Sequence, residues 1–141
     1  MAVVPEELKA RFPEVETTDD GVILIPVQQL PDLMKSLRES GYNFLTNLTA
    51  VDYPDYFEVI YHLSVAGSPE MIQVKTKVER NQPSVPSTVP LWGGAAWQER
   101  EVYDLLGVTF TGHPDLRRIL LPDDWEGHPL RKDYQWEGGR D

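Results

Sequence analysis

Three strand patterns follow one another between Tyr42 and Val78, and no helical pattern separates them. The clearest covers Tyr56–Val65, where apolar side chains alternate with polar ones. Short turns rich in Pro, Gly, Ser and Asp separate the patterns, and consecutive strands joined by short turns pair antiparallel. Alternation gives such a sheet one buried face and one face in water. The predicted strands are 42–51, 56–65 and 72–78.

A further strand and two helices precede these three strands. The β-branched run Val22–Ile25 predicts a strand over 21–27. Apolar residues at helical spacing predict a helix that Pro31 opens and Gly41 ends, and Pro5–Phe12 predicts a shorter one. These helices are the available cover for the buried face. We therefore predict an α+β fold, with an antiparallel sheet of about four strands covered on one face by two helices.

The composition changes after the strands. Residues 82–94 are rich in proline and glycine, which predicts a boundary loop. Trp97–Leu106 is again helical in pattern, with Gly107 placed as its cap. We expect residues 1–94 to form the globular core with its Pro-rich boundary loop, and residues 95–141 to form a short helix and an extended C-terminal tail.

The tail repeats the tripeptide Gly-His-Pro, at 112–114 and 127–129. Up to Tyr134 it is too rich in Pro, Gly and charge to be expected to fold on itself, yet it keeps aromatic and aliphatic anchors. This combination is typical of a segment ordered on another protein. Fully extended from Gly107, it would reach on the order of 90 Å.

Charge and composition exclude several classes of function. The formal net charge is −10, which disfavours nucleic acid and anionic membrane surfaces as partners. The absence of cysteine excludes thiolate metal ligands, iron–sulfur ligation and a cysteine nucleophile. No signal peptide and no apolar run of membrane-spanning length is read, so we expect a cytoplasmic chain without direct membrane insertion.

Two clusters invite a chemical interpretation. His113 and His128 stand among acidic residues, so a metal site is conceivable, but the spacing matches no known metal-binding loop, and turns are the expected role. Glu99, Glu101 and Asp104 are close enough for acid–base work, but Arg100 lies four residues before Asp104, so an ion pair is the favoured use. No nucleophile motif is present.

Basic residues in the tail lie beside apolar anchors. Arg117 and Arg118 lie between Leu116 and the apolar run Ile119–Leu121, and Arg131 and Lys132 adjoin Pro129, Leu130 and an aromatic residue. Trp, Tyr and Arg are enriched at interface hot spots. We therefore expect these side chains to face a carboxylate surface of a partner protein.

The same residues resemble the signature of the 30-kDa subunit of respiratory complex I, a component of bacterial NADH–quinone oxidoreductase. Leu106 departs from the family, which often has phenylalanine there, and Ala96 departs where it often has Asn or Asp. The residues that carry the resemblance and the predicted interface are Trp97, Glu99, Arg100, Glu101, Asp104, Gly107, Phe110, Gly112, His113, Pro114, Arg117, Arg118, Leu120, Pro122, Asp124, Trp125, Gly127, His128, Pro129, Arg131, Lys132, Asp133 and Tyr134.

The resemblance implies an accessory subunit without an active site or cofactor of its own. FMN, iron–sulfur clusters and quinone would belong to other subunits of the complex. The implied partner is the large hydrogenase-like (49-kDa type) subunit near the quinone site, on the cytoplasmic side of the cell membrane. Two alternatives stay open: the equivalent subunit of a membrane-bound hydrogenase or ferredoxin-linked complex, and a freestanding metal-dependent enzyme built on His113 and His128.

Overall fold

The computed structural model describes residues 12, 14–18, 22–122 and 127–131. It confirms the predicted α+β class. The elements in chain order are β1 (Glu16–Thr17), β2 (Val22–Leu24), a 3-10 turn (Val27–Gln29), α1 (Leu30–Glu39), β3 (Phe44–Asp52), β4 (Tyr56–Ser64), β5 (Met71–Glu79), β6 (Ser84–Pro86), α2 (Ala95–Leu106) and β7 (Thr109–Thr111).

The main sheet has five strands in the order β1-β2-β5-β4-β3. The three long strands pair antiparallel, as predicted. The first part of the sheet differs from the prediction because β2 pairs parallel with β5, which makes the sheet mixed. Parallel pairing needs a long crossover, and the chain supplies one by passing through α1, β3 and β4 before it returns beside β2.

The core lies on the face of the sheet that the alternation in β4 predicted. Phe57, Val59, Tyr61 and Leu63 are fully buried there. The buried stripe of α1, Leu30 to Leu37, joins the same cluster. The second predicted helix, Pro5–Phe12, lies outside the described residues except for Phe12, which is buried in the core. No helix in the described part of the chain has the length and apolar character needed to cross a bilayer.

A second, two-stranded sheet forms where a loop and a tail were expected. β6 lies within the predicted boundary loop, β7 follows Gly107, and the two pair parallel. Val85 of β6 and Phe110 of β7 face each other in register and are both buried in the main core. The hydrophobic core thus continues past residue 94, although the division into two regions there stays a prediction.

Candidate partner interface

The helix α2 carries the first part of the predicted interface. It begins at Ala95, two residues before the predicted start, and ends at Gly107, whose φ of 81° is the left-handed conformation of a helix cap. The Gly107 N–H donates to the carbonyl of Tyr103 at 2.9 Å. Val102 and Leu106 pack into the core. One side of the helix is therefore held against the domain, and the opposite side can contact a partner protein.

This helix packs against β3, the edge strand of the main sheet. The side-chain oxygen of Gln98 accepts a hydrogen bond of 2.6 Å from the Leu48 N–H. An edge strand leaves alternate backbone groups without a ladder partner, and a side chain that binds one of them protects the edge. Gln98 therefore both positions α2 and shields β3.

The carboxylate of Asp104 organises the segment that follows α2. One oxygen pairs with the Arg118 guanidinium at 2.7 Å. The other accepts the backbone N–H groups of three consecutive residues, at 3.2, 2.7 and 3.1 Å; these residues are Ile119, Leu120 and Leu121. Asp104 is fully buried. The prediction that Arg100 pairs with Asp104 is wrong, because Arg100 binds the carbonyls of residues 117 and 118 instead.

The environment of Asp104 lowers the pKa of its carboxyl below the ordinary 3.8. Burial acts to raise that pKa, but the Arg118 guanidinium and the three N–H groups together outweigh it because each stabilises the charged form. Asp104 is therefore held as a carboxylate. Asp104 therefore forms an ion pair, as predicted, but its partner is Arg118 and not Arg100.

Residues of the tail also cap the C-terminal end of α2. The imidazole Nδ1 of His128 bonds the carbonyl of Asp104 at 3.0 Å, and the Leu130 N–H donates to the carbonyl of Leu105 at 2.9 Å. These carbonyls belong to the last turn, which has no partner within the helix. The His128 ring lies so close to Gly107 that a Cβ at that glycine would be 2.7 Å from the ring carbon Cδ2.

A second buried carboxylate, Glu99, ties α2 to the loop after β6. It accepts hydrogen bonds from the Ser87 hydroxyl at 2.6 Å, the Thr88 N–H at 2.8 Å and the Thr88 hydroxyl at 3.0 Å. Burial raises the pKa of Glu99 above its ordinary 4.5, and the hydrogen bonds offset this shift only in part. The Nε2 atom of His113 lies 4.0 Å from a Glu99 oxygen, and a positive charge on that ring, when it is protonated, also acts to lower the pKa of Glu99.

The hydrogen bonds of His113 identify its tautomer. The Asp115 N–H donates to Nδ1 at 2.9 Å, so Nδ1 is an acceptor. In the neutral ring the proton is then on Nε2, which donates to the Ala96 carbonyl at 2.9 Å. The first Gly-His-Pro turn thus holds the beginning of α2, and the second, through His128, holds its end.

This arrangement contradicts a metal shared by His113 and His128. Their carbonyl partners, Ala96 and Asp104, lie eight residues apart on α2, which is about 12 Å along the helix axis. One ion cannot be ligated by both imidazoles at that separation. Within the described residues, no group of three or more His, Asp or Glu side chains is arranged to hold a metal.

The described part of the tail lies against its own domain. It is irregular in conformation, as predicted, but the expectation that it does not fold on itself is wrong up to Leu121 and again over 127–131. Arg131 reaches the core and lies 5.0 Å from the ring centroid of Phe57. The physical reason is local: orphan carbonyls at the end of α2 and the buried charge of Asp104 attract the backbone of the tail.

Another set of signature residues faces outward. Trp97, Leu120 and Leu130 are more than half exposed, at 59%, 57% and 58%. The Arg117 side chain is also exposed and pairs with Asp115 on the surface. Large apolar side chains that remain exposed in a signature segment are candidates for an interaction site.

The predicted interface residues therefore fall into three groups. Those directed inward are Glu99, Asp104, Gly107, Phe110, His113, Arg118, His128 and Arg131. Those at the surface, or partly so, are Trp97, Arg100, Glu101, Gly112, Pro114, Arg117, Leu120, Pro122, Gly127 and Pro129. Those outside the described residues are Asp124, Trp125, Lys132, Asp133 and Tyr134.

Sequence reasoning missed three residues that build this region. Ser87 and Thr88 bind Glu99, and Gln98 binds β3. The signal for the first two is weak, since Ser and Thr in a Pro-rich loop are ordinary turn residues. Gln98 offers none, because the edge strand it protects is fifty residues earlier in the chain.

Comparisons with known proteins agree on one family. A family model described as "Respiratory-chain NADH dehydrogenase, 30 Kd subunit" matches residues 23–140. An NADH-quinone oxidoreductase subunit of Moorella thermoacetica is 52% identical over 143 residues, which cover 95% of this chain and 96% of the relative. The family match includes α1, the three long strands, α2 and the described tail.

Two solved structures are similar in fold and sequence. A trypsin-resistant fragment (1-134) of Nqo5 is 33% identical, with a TM-score of 0.66, and the match covers 79% of this chain and 95% of that one. A chain of the membrane-bound sulfane sulfur reductase, an archaeal respiratory membrane complex, is 26% identical, with a TM-score of 0.81. That match covers 92% of this chain and 82% of the other.

Proposed function

The chain belongs to the family of 30-kDa subunits of respiratory-chain NADH dehydrogenase, and from this membership we propose that it is an accessory subunit that docks on the large hydrogenase-like subunit of its complex near the quinone site. In this role it binds no cofactor of its own and contributes adhesion to the assembly. It sits on the cytoplasmic side of the membrane and is peripheral through its partners.

The division of the signature residues into inward and outward groups carries this proposal. Glu99 and Asp104 are the buried carboxylates of α2, and their oxygens are occupied by hydrogen-bond donors of the chain itself. A carboxyl group that works as an acid or base must reach a substrate proton. The enclosed carboxylates therefore support a structural role, in which they hold the outward side chains in place.

The outward group has the composition of a protein interface. Trp97 and Leu120 give exposed apolar area, and Arg100 and Arg117 lie close to them. Trp and Arg are enriched among residues that dominate binding energy. We place the contact with the large subunit on this side of α2 and on the tail segment that crosses it.

A second candidate is the equivalent subunit of a membrane-bound complex with a different electron donor. The likeness to a chain of the membrane-bound sulfane sulfur reductase, with a TM-score of 0.81, favours it. The two candidates share the docking role and differ in the reaction of the assembled complex.

Affinity purification from solubilised membranes tests the docking role. The full chain, tagged at its N-terminus, is expressed in its host, and proteins retained through washing are identified and quantified by mass spectrometry. We expect the large hydrogenase-like subunit in a molar amount close to that of the tagged chain. Recovery of the chain without that subunit would contradict the proposal.

A spectrum of the isolated chain tests the absence of a cofactor. We expect no visible absorbance from flavin or an iron–sulfur cluster and less than stoichiometric metal after dialysis. NADH oxidation or stoichiometric metal in the chain alone would contradict this part of the proposal. The activity of the purified complex with NADH, compared with other donors, then separates the two candidate complexes.

A further inference from the structure

Trp97 and Arg100 form a stacked pair on the outward side of α2. The guanidinium carbon of Arg100 lies 5.4 Å from the centroid of the Trp97 ring, and the ring itself is 59% exposed. Residues three apart on a helix are neighbours on its surface, so the pair is built into the helix. An exposed tryptophan beneath a cation is a preorganised contact surface, because both side chains are already held in one geometry.

Arg100 carries a charge that the described residues do not neutralise. Its Nε and Nη2 groups donate to the carbonyls of Arg117 and Arg118, both at 3.1 Å. Carbonyl groups satisfy donors but remove no charge. The neighbouring arginines differ, since Arg117 pairs with Asp115 and Arg118 pairs with Asp104. In a chain with a net charge of −10, the described residues thus leave Arg100 without a counter-charge on the same surface as an exposed tryptophan.

The second terminal nitrogen of Arg100, Nη1, makes no hydrogen bond within the described residues, and neither does the indole N–H of Trp97. A planar guanidinium with free donors is suited to a carboxylate. Leu120 is 57% exposed and follows the two carbonyl partners of Arg100 by three and two residues, so the same tail segment also supplies exposed apolar area. Together, Trp97, Arg100 and Leu120 are named the Trp97 surface.

Resting on the proposed function, we propose that the Trp97 surface is the hot spot of the contact with the large hydrogenase-like subunit, and that it receives an Asp or Glu side chain of that subunit. The carboxylate pairs with Arg100 while an apolar group beside it covers the Trp97 ring. Removal of water from this pair strengthens its attraction, as is usual at the centre of an interface.

The surroundings favour a protein over a phosphate-bearing surface. Glu101 is exposed and forms no hydrogen bond or ion pair within the described residues, and it lies one helical turn after Trp97. A layer of lipid phosphates would meet this carboxylate as well as Arg100 and be repelled. A protein partner can place an acidic group at Arg100 and a basic one at Glu101.

Binding of the full chain to the purified large subunit tests the inference. We expect Trp97→Ala and Arg100→Gln each to raise the Kd at least about tenfold, as hot-spot truncations do. Added salt should weaken the wild-type interaction more than that of Arg100→Gln. Arg38→Gln is the matched control, since Arg38 also donates to a backbone carbonyl, that of Leu91, but on α1. Lys77→Gln controls for a cation stacked on a ring, that of Tyr56.

Trp97→Ala is the decisive variant, because Arg100→Gln also removes two bonds to the tail. The thermal unfolding of Trp97→Ala should match that of the wild type. If the wild type binds and Trp97→Ala binds equally well, the inference is wrong while the proposed function stands. If the wild type does not bind the large subunit, both are wrong. Arg100-dependent binding to vesicles of phosphatidylglycerol and phosphatidylcholine in equal parts would also overturn the inference.

Discussion

Glu99 and Asp104 lie five residues apart on α2, both fully buried, and the pKa values of their carboxyl groups are shifted in opposite directions. The difference comes from their partners. Asp104 has a guanidinium at 2.7 Å and three backbone donors, whereas Glu99 is bonded by neutral groups of the loop after β6. One helix therefore contains a carboxylate stabilised in its charged form and another for which the charged form is costly.

The first prediction concerns the Asp104 network. Asp104→Asn should lower the free energy of unfolding by about 3 kcal/mol, because it removes a fully buried carboxylate and leaves Arg118, whose side chain is only 10% exposed, without a counter-charge. Trypsin should then cleave the folded protein faster after Arg117 and Arg118. The control is Asp115→Asn, which breaks the exposed pair with Arg117 and should change stability by less than about 0.5 kcal/mol. Equal losses of stability for Asp104→Asn and Asp115→Asn in urea unfolding would contradict the central role of Asp104.

The same carboxylate predicts a pH dependence. Because the pKa of Asp104 is lower in the folded state than the ordinary 3.8, its stabilisation is fully present above that value and declines as the pH falls through the lowered pKa. The stability difference between wild type and Asp104→Asn should therefore shrink in acid. Urea unfolding over a pH series measures this stability difference, and a difference that stays constant with pH would contradict the prediction.

For Glu99 we predict the opposite pH dependence of stability. Because burial raises its pKa above 4.5, the folded state holds the proton more tightly than the unfolded chain does. Its contribution to stability is therefore greatest below pH 4.5 and declines as the pH rises through the raised pKa. Glu99→Gln does not titrate, so its stability relative to wild type should improve over that rise. A relative loss with rising pH would count against the burial argument.

Two glycines with nearly equal φ give a matched pair of substitutions. Gly107 (φ 81°) faces the His128 ring, whereas a Cβ at Gly112 (φ 82°) would meet no atom within 4 Å. Gly112→Ala should cost about 1 kcal/mol from backbone strain alone. Gly107→Ala should cost about 3 kcal/mol, since the clash with His128 is added. Equal midpoints in denaturant would show that the second Gly-His-Pro turn does not rest on α2.

The contact between Gln98 and β3 gives a further prediction. Gln98→Ala leaves the Leu48 N–H without its acceptor and should lower stability by about 1 kcal/mol. The Leu48 amide should then exchange its hydrogen faster, as seen by NMR. Glu101→Ala, on the same helix but exposed and without a bonded partner in the described residues, is the control. Unchanged protection at Leu48 would contradict the role of Gln98.

Much of the fold was predictable because it follows from local periodicity. The alternation in β4, the apolar stripe of α1 and the glycine after α2 each reflect contacts within a few residues or one face. The parallel pairing of β2 with β5 was not predicted, although the apolar run Val22–Leu24 is typical of a strand buried between neighbours. The pattern indicates that β2 is buried, but it does not identify the strand with which β2 pairs.

The sequence indicated which residues form the site more reliably than it indicated how they pair. The signature correctly drew attention to Asp104 and Arg118, but helical spacing assigned Asp104 to Arg100. Its actual partners lie fourteen to seventeen residues later, in a segment without periodicity. The tail was expected to need a foreign surface for its order, and the free carbonyls at the end of α2 and the Asp104 charge supply one within the chain.

Site-specific photocrosslinking in the assembled complex tests the central claim most directly. A photoreactive phenylalanine derivative replaces Leu120, which is exposed on the Trp97 surface, or Asp55, which is exposed in the turn between β3 and β4. We predict that the Leu120 probe crosslinks to the large hydrogenase-like subunit and that the Asp55 probe does so far less. No crosslink from Leu120 to that subunit, with an efficient one from Asp55, would contradict the account.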